Sequence, residues 1–114
     1  MTNAIENKSF EFAVRMVNLY KHLTGEKCEH TLSKQILRSG TSVGANVAEA
    51  QKAQSIADFN AKMYIALKET NETIYWLRLL KHTDYLTEAE FSSLYMDATE
   101  ILALLTSICK KTNS

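Results

Sequence analysis

Residues 31–54 read TLSKQILRSGTSVGANVAEAQKAQ, and the fold turns on whether this stretch is one helix. Leu32, Ile36, Ser39, Val43, Asn46 and Ala50 recur at steps of four, three, four, three and four. That is the spacing of one buried helix face. The centre, Ser39 to Ala45, is poor in helix formers, because Gly40 and Gly44 each cost about 1 kcal/mol against alanine inside a helix. A loop there is the competing reading. The apolar seam keeps its phase on both sides of the glycines, so the segment reads as a helix over about 32–54, opened by Thr31 or Ser33 as N-cap. Gly40, Gly44 and Ala48 then fall at i, i+4 and i+8 and clear side chains from one strip of surface. Such a strip lets another helix approach closely. The neighbour is either a helix of the same bundle or a second subunit.

Working outward, 114 residues with no proline and three glycines leave little to interrupt long helices. A first helix is predicted over about 8–22. It carries two apolar stripes, Phe10, Ala13, Val17 and Tyr20 beside Phe12, Met16, Leu19 and Leu23. Thr24 to His30 has no periodicity and reads as a loop, with Gly25 as the helix stop. A third helix is predicted over 56–82, where Ser55 and Asp58 resemble a capping box. Phe59, Met63, Ala66, Thr70, Thr73, Leu77 and Leu80 form its seam. A fourth is predicted over 88–110. Thr87 and Glu90 form a T-x-x-E box, Leu86 is placed to staple onto Phe91, and Phe91, Leu94, Ala98, Ile101, Leu105 and Ile108 follow at helical steps. Four amphipathic helices on short links predict an all-α, antiparallel up-down four-helix bundle, one domain over 1–114.

Thirteen Lys and Arg balance thirteen Asp and Glu, so charge alone does not point to nucleic acid or to an acidic membrane. No apolar run is long enough to span a bilayer. The first residues lack the basic and apolar regions of a secretory leader, and Cys28 and Cys109 sit at no ligand spacing. The expectation is a cytoplasmic protein with reduced thiols and no membrane association.

Catalytic, cofactor and metal motifs are not found. Carboxylate-bridged metal bundles use Glu-x-x-His pairs, and no Glu here has His three residues later. Glu69 and Glu72 could hold a cation but lack a histidine partner. Gly40 to Gly44 superficially resembles a phosphate loop, without the preceding strand or the Gly-Lys-Ser/Thr ending. Cys28 near His30 has no third, orienting group. The expectation is therefore no catalytic residue, no cofactor and no metal.

The second and third helices carry the informative polar residues. Gln35, Arg38, Ser42, Ala45, Glu49 and Lys52 form a second in-phase set, Asn46 falls on the apolar seam, and Ile65, Glu69, Glu72 and Trp76 share a face. The expectation is that Glu69 or Glu72 meets Arg38 or Asn46 across the second–third helix contact. The cluster either fixes helix register or forms a ligand or partner site. Lys27, Lys34, Arg38, Lys52 and Lys62 are the candidate contacts for nucleic acid, should they converge on one rim. An adaptor that binds only protein would instead expose an apolar patch such as Phe12, Met16 or Tyr95.

The run from Leu32 through Gln35, Arg38, Ser42, Val43, Asn46, Val47, Ala48 and Glu49 to Ala50 resembles the hallmark of the four-helix-bundle proteins known from 23S rRNA intervening sequences. Phe59, Ala66, Glu72, Trp76 and Leu77 are similar to that family's third-helix pattern. The resemblance covers most of the chain. It implies an up-down bundle and a homo-oligomeric ring of five subunits. A relative of that family, the accessory variability determinant of diversity-generating retroelements, resembles a scaffold that binds nucleic acid and a reverse transcriptase through a basic surface. The function expected from the residues and the resemblance together is a non-enzymatic oligomeric scaffold in a nucleic-acid or ribonucleoprotein setting. Its partners would be RNA, DNA or a protein that processes them. The alternatives are a protein–protein adaptor and a carboxylate-based enzyme.

Overall fold

A computed structural model describes residues 3–112. Four helices follow in order: α1 (Ala4–Gly25), α2 (Leu32–Ala50), α3 (Ile56–His82) and α4 (Glu88–Thr112). No strand occurs among the described residues. α1 starts earlier than its periodicity suggests, because the Asn3 side chain accepts a hydrogen bond from the Ile5 N–H at 3.0 Å and opens the helix there. α2 ends at Ala50 rather than near residue 54. Ser55 must be extended (φ −156°, ψ 167°) to cap α3, so residues 51–53 turn the chain through i to i+3 backbone bonds. Ser55 accepts from the Asp58 N–H at 3.1 Å, and Asp58 accepts from the Gln54 N–H at 3.2 Å. Thr87 and Glu90 exchange both capping bonds, at 2.8 and 3.1 Å.

The helices run up and down, since Lys8, Arg15 and His22 of α1 face Glu100, Asp97 and Glu90 of α4 in descending order. α1 packs on α2, α2 on α3 and α3 on α4. α4 returns to α1 more loosely, and the diagonal helices do not approach each other. The bundle measures 44 × 24 × 20 Å. Its core takes Phe12, Met16, Leu19 and Leu23 from α1, with Ile36, Val43 and Val47 of α2, Met63, Leu77 and Leu80 of α3, and Leu94, Ile101 and Leu105 of α4. Only one of the two stripes of α1 is therefore used. The loose α1–α4 seam is held by ion pairs, Lys8 to Glu100 and Arg15 to Asp97, each at 2.6 Å. A groove of about 240 Å³ lies along this seam between Arg15, His22, Leu86 and Glu90.

Gly40 and Gly44 lie under α1 of the same chain. A Cβ on Gly40 would overlap Met16, and one on Gly44 would sit 3.0 Å from the Ser9 carbonyl oxygen. The close neighbour at these two positions is intramolecular. Ala48 is exposed. Asn46 departs from its expected place on the buried seam. It is half-buried and donates to the Ser42 carbonyl at 2.9 Å, while Val47 takes the core position. Burying Val47 costs no amide desolvation, whereas burying Asn46 would.

Candidate functional site

The α2–α3 contact is built from small polar residues. Ser39, Thr70 and Thr73 are all fully buried. Thr73 Oγ1 lies 2.9 Å from Ser39 Oγ, joining the two helices, and also donates to the Glu69 carbonyl at 2.8 Å. Thr70 Oγ1 donates to the Ala66 carbonyl at 2.8 Å. Each hydroxyl thus has a partner, which removes the cost of burying it. Their small volume lets α2 and α3 run close.

Over this floor, at the surface, lies an Arg38–Glu69–Glu72–Trp76 cluster. The Arg38 guanidinium donates through Nη1 to Glu69 at 3.2 Å and through Nη2 to Glu72. The Trp76 indole Nε1 donates to the same Glu72 oxygen, Oε2, at 3.0 Å. Arg38 is half-exposed, Glu69 mostly covered and Glu72 intermediate. The indole hydrogen bond first, and then the Arg38 hydrogen bond, hold the Glu72 carboxyl below its ordinary pKa. The Glu72 hydrogen bond raises that of Arg38.

Arg38 does meet both carboxylates across the α2–α3 contact, one turn apart on α3. Asn46 is not part of the cluster, and Glu49 is exposed about 16 Å further along α2. The five candidate cations do not gather on one rim. Lys27 and Lys34 flank the α1–α2 link, Lys52 and Lys62 flank the α2–α3 link, and α2 separates these ends by roughly 27 Å. Arg38 spends its fork on its own carboxylates. No group of three His, Cys, Asp or Glu able to hold a metal occurs among the described residues. Sequence reasoning missed Trp76 as a donor, although its position four residues after Glu72 places the two on one helix face.

The arrangement can hold helix register and keep Glu72 ionised. A carboxyl held below its usual range is a poor general acid at neutral pH. Trp76 is the single tryptophan, so its emission should report Glu72. Acidification below the ordinary carboxylate range is expected to change Trp76 fluorescence before far-ultraviolet circular dichroism is lost. Glu72→Gln should abolish that step. An unchanged step in the variant would show that the indole does not sense this carboxyl. Arg38→Ala is expected to cost about 1 kcal/mol or less in urea unfolding, as for a solvent-screened pair.

Antiparallel helices around a hydroxyl-lined α2–α3 seam, clamped outside by one arginine on two glutamates, define an up-down four-helix-bundle protein. The chain belongs to the 23S rRNA-intervening sequence protein family, whose profile matches residues 1–107. It is similar to a crystal structure of a protein of unknown function from the S23 ribosomal protein family of Bacteroides thetaiotaomicron. The two share 59% identity over 95% of this chain and 96% of that one, with a TM-score of 0.93. No curated protein matches.

Proposed function

We propose that this protein is a non-enzymatic homo-oligomer, a scaffold that presents several copies of one surface to nucleic acid or to a protein acting on it. The observation that carries the reading is the apolar outer face of α1, where the unused stripe of Phe10 and Val17 is joined by Val14. Phe10, Val14 and Val17 recur at helical steps on the outer face and are 69%, 46% and 39% exposed. Phe12 and Met16, expected as part of an exposed patch in the adaptor reading, are in the core instead, whereas Tyr95, stacked on Phe91, is exposed as that reading expected. Covering the α1 stripe with a second copy removes apolar surface from water. A ring of five, as the family resemblance implies, uses unlike patches on each subunit and repeats each weak contact five times. Among the described residues no helix is long and apolar enough to cross a membrane. Cys28 and Cys109 are not joined in a disulfide, which supports a reducing, cytoplasmic setting.

Multi-angle light scattering is the test. The protein should elute as an oligomer, and Phe10→Glu with Val17→Glu should reduce its mass while leaving far-ultraviolet circular dichroism intact. A monomeric parent protein would remove the scaffold. An oligomer indifferent to both substitutions would place the subunit contact elsewhere.

A further inference from the structure

The outward face of α3 carries a stripe that neither the core nor the Arg38 cluster uses. Tyr64, Lys68, Asn71, Tyr75, Arg78 and His82 follow at steps of four, three, four, three and four, and all six are exposed. None is acidic. Lys68 and Arg78 enter no ion pair among the described residues, and the Lys68 ammonium lies 6.0 Å from the Tyr64 ring centroid. Tyr75 is set edge-on to Trp76, ring centroids 5.0 Å apart, which braces an otherwise exposed ring. Next to it a hollow of about 210 Å³ is lined by Tyr75, Arg78, Leu79 and His82. The carboxylates that flank the stripe, Glu69 and Glu72, are both engaged by Arg38. The face is therefore locally basic on a chain whose net charge is zero.

Alternating rings and cations along one line is the arrangement that binds a single strand. Every base has a face to stack, and every phosphate a charge to neutralise. We propose that the outward face of α3 binds single-stranded nucleic acid, with bases stacked on Tyr64 and Tyr75, phosphates held by Lys68 and Arg78, and one base or sugar seated in the hollow beside Tyr75. The proposal rests on the nucleic-acid half of the function above. From Tyr64 to His82 the stripe runs roughly 27 Å, the length of about eight stacked nucleotides at 3.4 Å each. Paired bases are stacked on one another and cannot reach the tyrosines, so a duplex fits the stripe less well. α3 is diagonal to α1 in the bundle, so this face and the Phe10 stripe are separate surfaces of the subunit. Five copies in a ring would raise the apparent affinity of a long strand over that of one stripe.

The test is fluorescence anisotropy of the intact protein with labelled twelve-residue oligouridylate, oligothymidylate and a hairpin duplex, each over a range of salt. Both single strands are expected to bind more tightly than the duplex, and the tighter of the two arms separates RNA from DNA as the strand preferred. Tyr75→Ala should weaken binding roughly tenfold, with Tyr75→Phe restoring it. Lys68→Gln with Arg78→Gln should flatten the plot of log affinity against log salt by about 1.4 per stripe, two cations at about 0.7 each. Single-strand binding unchanged in both Tyr75→Ala and Lys68→Gln/Arg78→Gln overturns this surface while leaving the nucleic-acid role standing. No binding of any strand at low salt overturns both. A fall in light-scattering mass in the Tyr75→Ala or Lys68→Gln/Arg78→Gln proteins would make the face a subunit contact and overturns the proposal.

Discussion

Gly44→Leu is expected to destabilise the bundle by about 3 kcal/mol or more. A Cβ at Gly44 would already lie 3.0 Å from the Ser9 carbonyl oxygen, 3.3 Å from its carbonyl carbon and 3.7 Å from the Phe10 nitrogen. These are backbone atoms of α1, so no rotamer change can move them aside. A larger side chain must lift α1 from α2 and uncover Phe12 and Met16. The gain in helix propensity on replacing glycine, about 1 kcal/mol, offsets only part of this. Thermal unfolding should show Tm lowered by roughly 10 °C or more, at about 4 °C per kcal/mol for a domain of this size.

Gly40 supplies the internal control. A Cβ there would overlap Met16 Cγ and lie 2.6 Å from Sδ, so the obstacle is a side chain. Gly40→Ala should cost about 1–3 kcal/mol and Met16→Ala about 2–5 kcal/mol. In the double variant the new methyl occupies part of the vacated space, and the combined loss should be smaller than the sum by about 1 kcal/mol or more. Simple additivity would mean that α1 and α2 do not meet at this point. At Gly44 no such partner substitution exists, because trimming Ser9 leaves its backbone in place.

The second large effect is expected at Glu29. Thr31, at the start of α2, makes no side-chain cap. The buried Glu29 carboxylate instead accepts the N–H groups of Thr31, Leu32 and Ser33 at 3.2, 2.9 and 2.7 Å. The chain delivers it there through Cys28, which adopts φ 54°, and the Glu29 N–H bonds back to the Leu23 carbonyl at 2.8 Å. Burial works against ionisation, yet the backbone hydrogen bonds outweigh it and the pKa falls below the ordinary value. A negative charge at a helix N-terminus is also favoured by the macrodipole. Glu29→Ala strands three donors and should cost about 2–4 kcal/mol, beyond an ordinary cap. Glu29→Gln keeps one acceptor oxygen and should fall between the variant and the parent protein.

The pH dependence follows from the sign of the shift. Because folding lowers the pKa, the native protein binds fewer protons here than the unfolded chain. The stabilisation is whole above the ordinary carboxylate range, roughly pH 4.5, and is lost as pH falls through the native value. Glu72 contributes in the same direction. Urea unfolding across this range should lose stability with acid in the parent protein and lose less in Glu29→Gln. Parallel acid limbs would show that Glu29 is not held as a charged cap.

What the amino-acid order determined by itself was local. Four amphipathic segments, the Ser55 and Thr87 caps, the shared α3 face of Glu69 and Glu72, and the continuity of α2 through its glycines are all set within a few turns of helix, where spacing is geometry, while the meeting of Arg38 with both carboxylates needed α2 packed on α3. The family hallmark around Arg38 to Ala50 was legible for the same reason. What only the tertiary structure decided were choices between equivalents. Both stripes of α1 are apolar and periodic, and packing against α2 buries Phe12 and Met16 while leaving Phe10 and Val17 outside. Val47 replaced Asn46 in the core, and Glu29, in a segment without period, became the cap of α2. The aromatic and basic stripe of α3 needed the same knowledge. Its spacing is visible in sequence, but a face becomes a surface only when the other three helices have covered the rest. Periodicity fixes which residues share a side of a helix, and burial of that side is a property of its neighbours.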